Sequence, residues 1–190
     1  MTFRKLHPKR SQNVPHKNNY RDYRLQLRED FGHRCGYCND IDFPHVDRYE
    51  IDHFVPVSLD ESKKTDYSNL VYACKSCNNS KSDKWPTKNP ELSNNGTIGW
   101  IDPCSEEYAN QFDRDKYGAI IPKTDIGKWM YENLKLWKNQ HSYLWCIEFI
   151  GEQIDLIRAN RKYIHGDEVW NQVMSIYDIY IDLRNRLYNL

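Results

Sequence analysis

Two cysteine pairs constrain this chain more than any other feature: Cys35-Gly-Tyr-Cys38 and Cys74-Lys-Ser-Cys77. Both are C-x2-C knuckles, and the 35 residues between them exceed the roughly 15 to 20 of a compact zinc ribbon. Two knuckles let four thiolates converge on one tetrahedral Zn²⁺, a closed structural site with no position left for a substrate. A disulfide framework is the weaker alternative, because the start, MTFRKLHPKR, has no apolar stretch behind its charges to mark secretion. Cys104 and Cys146 have no such partners. Cys146, within the apolar run Tyr143-Leu144-Trp145-Cys146-Ile147, reads as a buried, inert thiol.

At 190 residues, with 14% aromatic side chains, the chain can build a real core despite a mean hydropathy of −0.90. One domain, or one with an appendage, is expected, and wholesale disorder is not. No window approaches the ~18 consecutive apolar residues of a membrane span, so a soluble, cytoplasmic protein with no membrane partner is expected. The 27 basic and 27 acidic residues cancel, which argues against coating nucleic acid through general basicity. Yet residues 1–34 hold nine Lys/Arg against three acids, a net of +6, and the remaining 18 basic and 24 acidic residues sum to −6. Such asymmetry suits a basic arm for phosphate, with Arg4, Lys5, Lys9 and Arg10 as candidate contacts. A solvated, poorly ordered terminus is the plainer reading.

Pro8, Pro15 and Ser11-Gln12-Asn13 make residues 1–19 extended or loosely ordered. Tyr20, Tyr23, Leu27 and Phe31, three or four apart among charges, predict a short helix that Gly32 stops. Tyr49-Glu50-Ile51-Asp52-His53-Phe54-Val55 suits a strand, ended or edged by Pro56. A polar loop from Leu59 to Ser68 leads to a second apolar run, Asn69-Leu70-Val71-Tyr72-Ala73, and a short helix is expected over Asn78 to Lys84. The prolines and glycines of residues 86–123 predict an irregular connection with short strands, such as Ala119-Ile120-Ile121. Met130, Leu134, Trp137, Leu144 and Ile147, and then Trp170, Val173, Tyr177, Tyr180, Ile181 and Leu187, keep the spacing of amphipathic helices. An aromatic stripe at that spacing is read as core rather than as a surface for a partner or for bases.

Inside the cysteine frame lie residues that a purely shape-giving zinc module does not need: Asp52-His53, Asn69, Asn78 and Lys81. Phosphodiester hydrolysis does need them. Water must be deprotonated near neutral pH, a cation held against phosphate, and charge on the departing oxygen stabilised. Histidine is the natural base there, and Asp and Asn offer hard oxygens that suit Mg²⁺ or Mn²⁺. Each also has a plainer reading: a hydrogen-bonded hairpin histidine, asparagines in turns or caps, and Lys75, Lys81 and Lys84 as surface charge.

Taken together, Cys35-x2-Cys38, Ile51-Asp52-His53-Phe54-Val55-Pro56, Asn69-Leu70-Val71 and Cys74-x2-Cys77-Asn78-x2-Lys81 resemble the four-cysteine group of HNH endonucleases. The resemblance implies an α+β fold, a ββα-metal core braced by a four-thiolate zinc site at Cys35, Cys38, Cys74 and Cys77. It implies His53 as general base, Asp52 and Asn78 as ligands of a catalytic Mg²⁺ or Mn²⁺, and Asn69 as the residue that orients loop and imidazole. Lys81 is implied as a phosphate contact, with Lys84 a further candidate. Many relatives carry His where this chain has Asn78, which makes it an H-N-N variant with Asn79 the neighbouring alternative.

Farther on, Ile101-Asp102-Pro103, Gly118-x-Ile120-Ile121-Pro122-x-Thr124-x2-Gly127 and Asn133-Leu134-x-Leu136 are similar to the region after the HNH core in a group of bacterial HNH proteins. Some of those belong to phage-defence modules of the Septu type, where the nuclease is paired with an ATPase. That resemblance implies antiviral defence and an ATPase partner docked on the C-terminal helices. The expected organisation is a basic arm and short helix over 1–34, the nuclease core over 35–84, an irregular connection over 85–123 and a helical region over 124–190. The expected activity is metal-dependent hydrolysis of phosphodiesters in duplex DNA. A non-catalytic zinc module that binds DNA or a protein is the alternative.

Overall fold

The computed structural model describes residues 1–42, 48–160 and 166–188. A one-turn 3-10 helix, Tyr20–Tyr23, opens under Asn19, whose side chain accepts from Arg21 N at 3.1 Å, and runs into α1 (Arg24–Asp30). Tyr23, Leu27 and Phe31 are buried along one face, at the spacing the sequence predicts. Gly32 and His33, both at φ 58°, then reverse the chain into the first cysteine knuckle.

Strand β1 (Tyr49–His53) pairs antiparallel with β2 (Leu70–Cys74), in a register that sets Tyr49 opposite Cys74 and His53 opposite Leu70. All of β2 is buried because the hairpin is covered from both faces. On one face Tyr20 meets His53 and Arg24 lies over Tyr72. On the other, α2 (Lys75–Lys81) brings Asn78 and Lys81 to Glu50 and Asp52. Helix α2 begins at Lys75 rather than at the expected Asn78, because Cys74 Sγ caps it, accepting from Cys77 N at 3.4 Å.

The connection after α2 is irregular, as expected, and holds a one-turn helix α3 (Glu106–Ala109) and a ribbon of β3 (Phe112–Arg114) with β4 (Ile120–Pro122). Trp100, Tyr108 and Phe112 join the same core as Leu27, Phe31 and β2. At Gly99, φ 122°, a Cβ would stand 2.3 Å from Ser93 O, so glycine is what lets Trp100 swing inward. Helix α4 (Asp125–Leu134) starts under Thr124, whose hydroxyl accepts from Gly127 N at 2.9 Å, and adds Met130 and Leu134 to that core.

The apolar spacing from Met130 to Ile147 runs across a break that it does not register. Lys135, at φ 57°, ends α4, Leu136 turns into the core, and α5 (Asn139–Ala159) begins afresh. Helices α5 and α6 (Asp167–Tyr188) pack on each other around Leu144, Ile147 and Leu187. Two helices in contact bury one stripe each, so the aromatic positions read as core are only partly so: Trp170 and Tyr177 are 39% and 47% exposed, and Trp137, in the turn before α5, is 55% exposed. Cys146, expected to be buried, is half-buried with its Sγ donating to Tyr117 O at 3.2 Å. Among the described residues no helix is long and apolar enough to cross a membrane.

Residues 1–19 are irregular, as expected, but not loose. Thr2 bridges to Asp113, Phe3 and Arg4 are buried, and Ser11 is held by Asp30. Arg10 donates to Leu70 O and to Asp102, both at 2.8 Å. Arg4, Lys5 and Arg10 are met by acids and carbonyls of the later chain, which counting charge segment by segment cannot register.

Candidate active site

The first knuckle is a tight turn in which Cys35 N donates to Asp40 O and Asn39 N to Cys35 O, both at 2.9 Å. Gly36 N crosses to Tyr72 O at 2.8 Å, and a Cβ on Gly36 would meet the side chains of Phe31 and Val71 at 2.7 and 2.8 Å. The second knuckle straddles the junction of β2 and α2. The four sulfurs are buried and lie within 4.8 Å of one another, Cys38 Sγ and Cys74 Sγ being 3.9 Å apart. Sulfurs about 2.3 Å from a tetrahedral ion stand about 3.8 Å from each other, so these four thiols fit one Zn²⁺. A second group, Cys38, Asp40 and His141, also converges within 4.8 Å. His141 Nδ1 donates to Asp40 Oδ2 at 2.7 Å in full burial, which fastens the start of α5 to the first knuckle.

His53, the last residue of β1, is half-buried, and its Nε2 lies 2.9 Å from the carbonyl oxygen of Lys64. A carbonyl only accepts, so Nε2 carries the proton and the neutral ring keeps Nδ1 as its lone-pair base. Tyr20 packs edge-on against the imidazole with ring centroids 4.7 Å apart. Asn69 holds the loop that supplies the carbonyl. Its Oδ1 accepts from Val55 N at 2.8 Å, and its Nδ2 donates to Val55 O at 3.0 Å and Lys63 O at 3.3 Å. One buried amide therefore ties the end of β1 to the residue next to Lys64.

Neighbouring residues of a strand project to opposite faces, so Asp52 turns away from His53 into the seam between β1 and α2. It is 6% exposed, accepts from the Tyr37 hydroxyl, and lies 3.0 Å from the Lys81 ammonium. Burial holds the Asp52 carboxyl above the usual carboxylate range, with Lys81 and the Tyr37 hydroxyl pulling against it. Lys81, expected to touch phosphate, is 0% exposed and also donates to His53 O at 2.8 Å. Asn78 Nδ2 donates to Glu50 Oε2 at 2.7 Å, both side chains half-buried, and Asn79 is exposed. Glu50, Asp52 and Asn78 thus bring three oxygen-bearing side chains to one seam and in kind fit a small hard cation. At Asp52 the Lys81 ammonium already supplies positive charge, so an ion there has to share or displace it.

The other expected contacts divide. Lys84 and Lys9 are exposed, and Lys84 Nζ donates to Ser80 O at 2.8 Å. Lys5 pairs with Glu152 in solvent, a contact of little energy. Arg4 and Arg10 point inward, onto Gly36 O and Pro103 O and onto Leu70 O and Asp102. Four features escape the sequence reading: Tyr20, Tyr37, Glu50 and the Lys64 carbonyl. Tyr20 was available as the residue that opens the helix, one turn ahead of the buried face, whereas a backbone carbonyl leaves no mark in a sequence. Arg21 has its guanidinium 5.6 Å from the Tyr20 ring, and Lys64, whose carbonyl meets His53, is exposed.

The HNH endonuclease family model matches residues 35–84, the span of both knuckles, the hairpin and α2. The match supports a nuclease-type function in general. It ends at Lys84, and nothing beyond that residue supports a Septu-type association or an ATPase partner. No curated protein and no solved structure matches the chain.

Proposed function

We propose that this chain is a metal-dependent endonuclease that hydrolyses phosphodiesters in duplex DNA, with His53 as its general base. The observation that carries the reading is the fixed imidazole. Nε2 is tied to Lys64 O, which leaves Nδ1 as the acceptor, inside a segment that matches a nuclease family. In the proposed reaction Nδ1 takes the proton of a water as that water attacks phosphorus, while the Nε2 proton stays hydrogen-bonded to the Lys64 carbonyl. Tyr20 and Asn69 hold ring and loop, so little reorganisation is needed at that moment. Asp52 and Asn78, with Glu50 beside them, would hold Mg²⁺ or Mn²⁺, which when bound neutralises charge on the phosphate and the departing 3′ oxygen. Zn²⁺ on the four cysteines takes no part in the chemistry and keeps hairpin and helix in register. Arg21, Lys64 and Lys84 are exposed cations suited to backbone phosphates, which position a duplex without reading its sequence.

Folded, zinc-loaded His53→Ala should lose plasmid cleavage in Mg²⁺ by about 10²- to 10⁴-fold. Cleavage at the wild-type rate sinks the mechanism. One observation favours a second reading: with the Lys81 ammonium on Asp52, the seam is charge-balanced at that residue without an ion, as suits a non-catalytic zinc module that binds DNA or a protein. That module would retain DNA yet leave it uncut by wild-type protein at any Mg²⁺ or Mn²⁺ concentration.

A further inference from the structure

Arg4 and Arg114 are 8% and 2% exposed, and among the described residues every hydrogen bond they make ends on a backbone carbonyl. A buried guanidinium without a counter-charge is costly. Two of those carbonyls belong to the first cysteine knuckle: Arg4 Nη2 donates to Gly36 O at 2.8 Å and Arg114 Nη2 to Cys38 O at 3.1 Å. The Phe3 ring lies 5.0 Å from the Arg4 guanidinium and 5.6 Å from that of Arg114, and the Tyr108 ring lies 4.6 Å from Arg4. Aromatic rings thus lie against both cations. Burial pulls both guanidiniums down from their ordinary values. Burial is the largest cause at each.

Four thiolates around one Zn²⁺ leave two negative charges uncompensated, deep in the protein. Asp40, beside the same knuckle, already has His141 Nδ1 at 2.7 Å. We infer that Arg4 and Arg114 are the outer counter-charges of the zinc tetrathiolate and set how tightly it keeps its ion. The first residues of the chain then serve the metal centre and not DNA. The inference rests on zinc occupying the four cysteines and is independent of cleavage.

The test is the lifetime of bound zinc in the full-length protein, followed by transfer to a chromophoric chelator. Arg4→Gln and Arg114→Gln should each release zinc about tenfold faster than wild type, and Arg4→Lys, which keeps the charge, should stay close to wild type. Salt dependence of DNA binding should not change in Arg4→Gln. Equal zinc lifetimes for Arg4→Gln and Arg4→Lys overturn the inference, as does a reduced salt slope with an unchanged lifetime. Two zinc ions per chain also overturn it, since an ion at Cys38, Asp40 and His141 would supply the missing charge. Wild-type protein without zinc overturns both this inference and the zinc reading beneath it, while loss of cleavage alone touches neither.

Discussion

Lys81 and Asp52 form the polar floor beneath the end of β1, an ammonium and a carboxylate taken out of water together, with the same ammonium on His53 O. Such a pair is costly to break from one side, because the survivor is left buried and unpaired. Lys81→Met should cost about 3–5 kcal/mol, and adding Asp52→Asn should recover much of the loss. Urea unfolding of the zinc-loaded single and double variants checks this; a double variant no more stable than the single would show that the two side chains are not coupled. Tyr20 acts on His53 in a different way, by contact with the ring edge. Tyr20→Phe keeps that contact and should cleave like wild type, whereas Tyr20→Leu should lower kcat about tenfold with little change in KM. A change in KM alone would recast Tyr20 as a DNA contact.

Asp30 decides how firmly the N-terminal segment lies on α1. It accepts from the Ser11 hydroxyl at 2.7 Å, from Gln26 at 3.0 Å and from the Tyr67 hydroxyl at 2.6 Å. Burial pushes its carboxyl up, but the bonds from Ser11, Tyr67 and Gln26 outweigh that and hold it below the usual range. Its stabilisation is therefore present above the ordinary carboxylate pKa and lost as pH falls through the depressed value. At pH 7 Asp30→Asn should cost about 1–2 kcal/mol and speed tryptic cleavage after Lys9 and Arg10. Unchanged cleavage would mean that Phe3 and Arg10 hold the segment without Asp30. The hairpin, α1 and α2 were legible because their patterns are local: a four-residue stripe, two β-rich runs, and cysteines that fix where the turns fall. The anchoring of residues 1–19 was not, since Arg4 and Arg10 find their partners at Gly36, Leu70, Asp102 and Pro103, far along the chain. The site divides the same way. His53 and Asn69 were nominated through the family resemblance, but the burial of Lys81 depends on the depth at which α2 lies against β1.

Across the whole molecule, a segment of net +6 folds against a remainder of net −6, so much of the apparent basic arm is internal neutralisation. The four cysteines stand where these parts meet. Cys35 and Cys38 follow α1, Cys74 and Cys77 join β2 to α2, and Tyr37 between the first pair touches both Asp52 and, through its carbonyl, the hydroxyl of Tyr108. Trp100, Tyr108, Phe112, Met130 and Leu134 share that core, while Leu144, Ile147 and Leu187 form a separate small cluster between α5 and α6. With zinc on these cysteines, as proposed, withdrawing it leaves four buried thiols without the ion that would hold them together, and the binding energy of a structural zinc is largely folding energy. A strong zinc chelator should therefore abolish the near-ultraviolet signal of the Trp100 core and all cleavage together. Much of the helical signal should remain, because α5 and α6 have their own contacts. Returning zinc in the presence of Mg²⁺, but not Mg²⁺ alone, should restore both. A chelated protein that keeps its near-ultraviolet spectrum would show that the aromatic core holds the knuckles, and not the reverse.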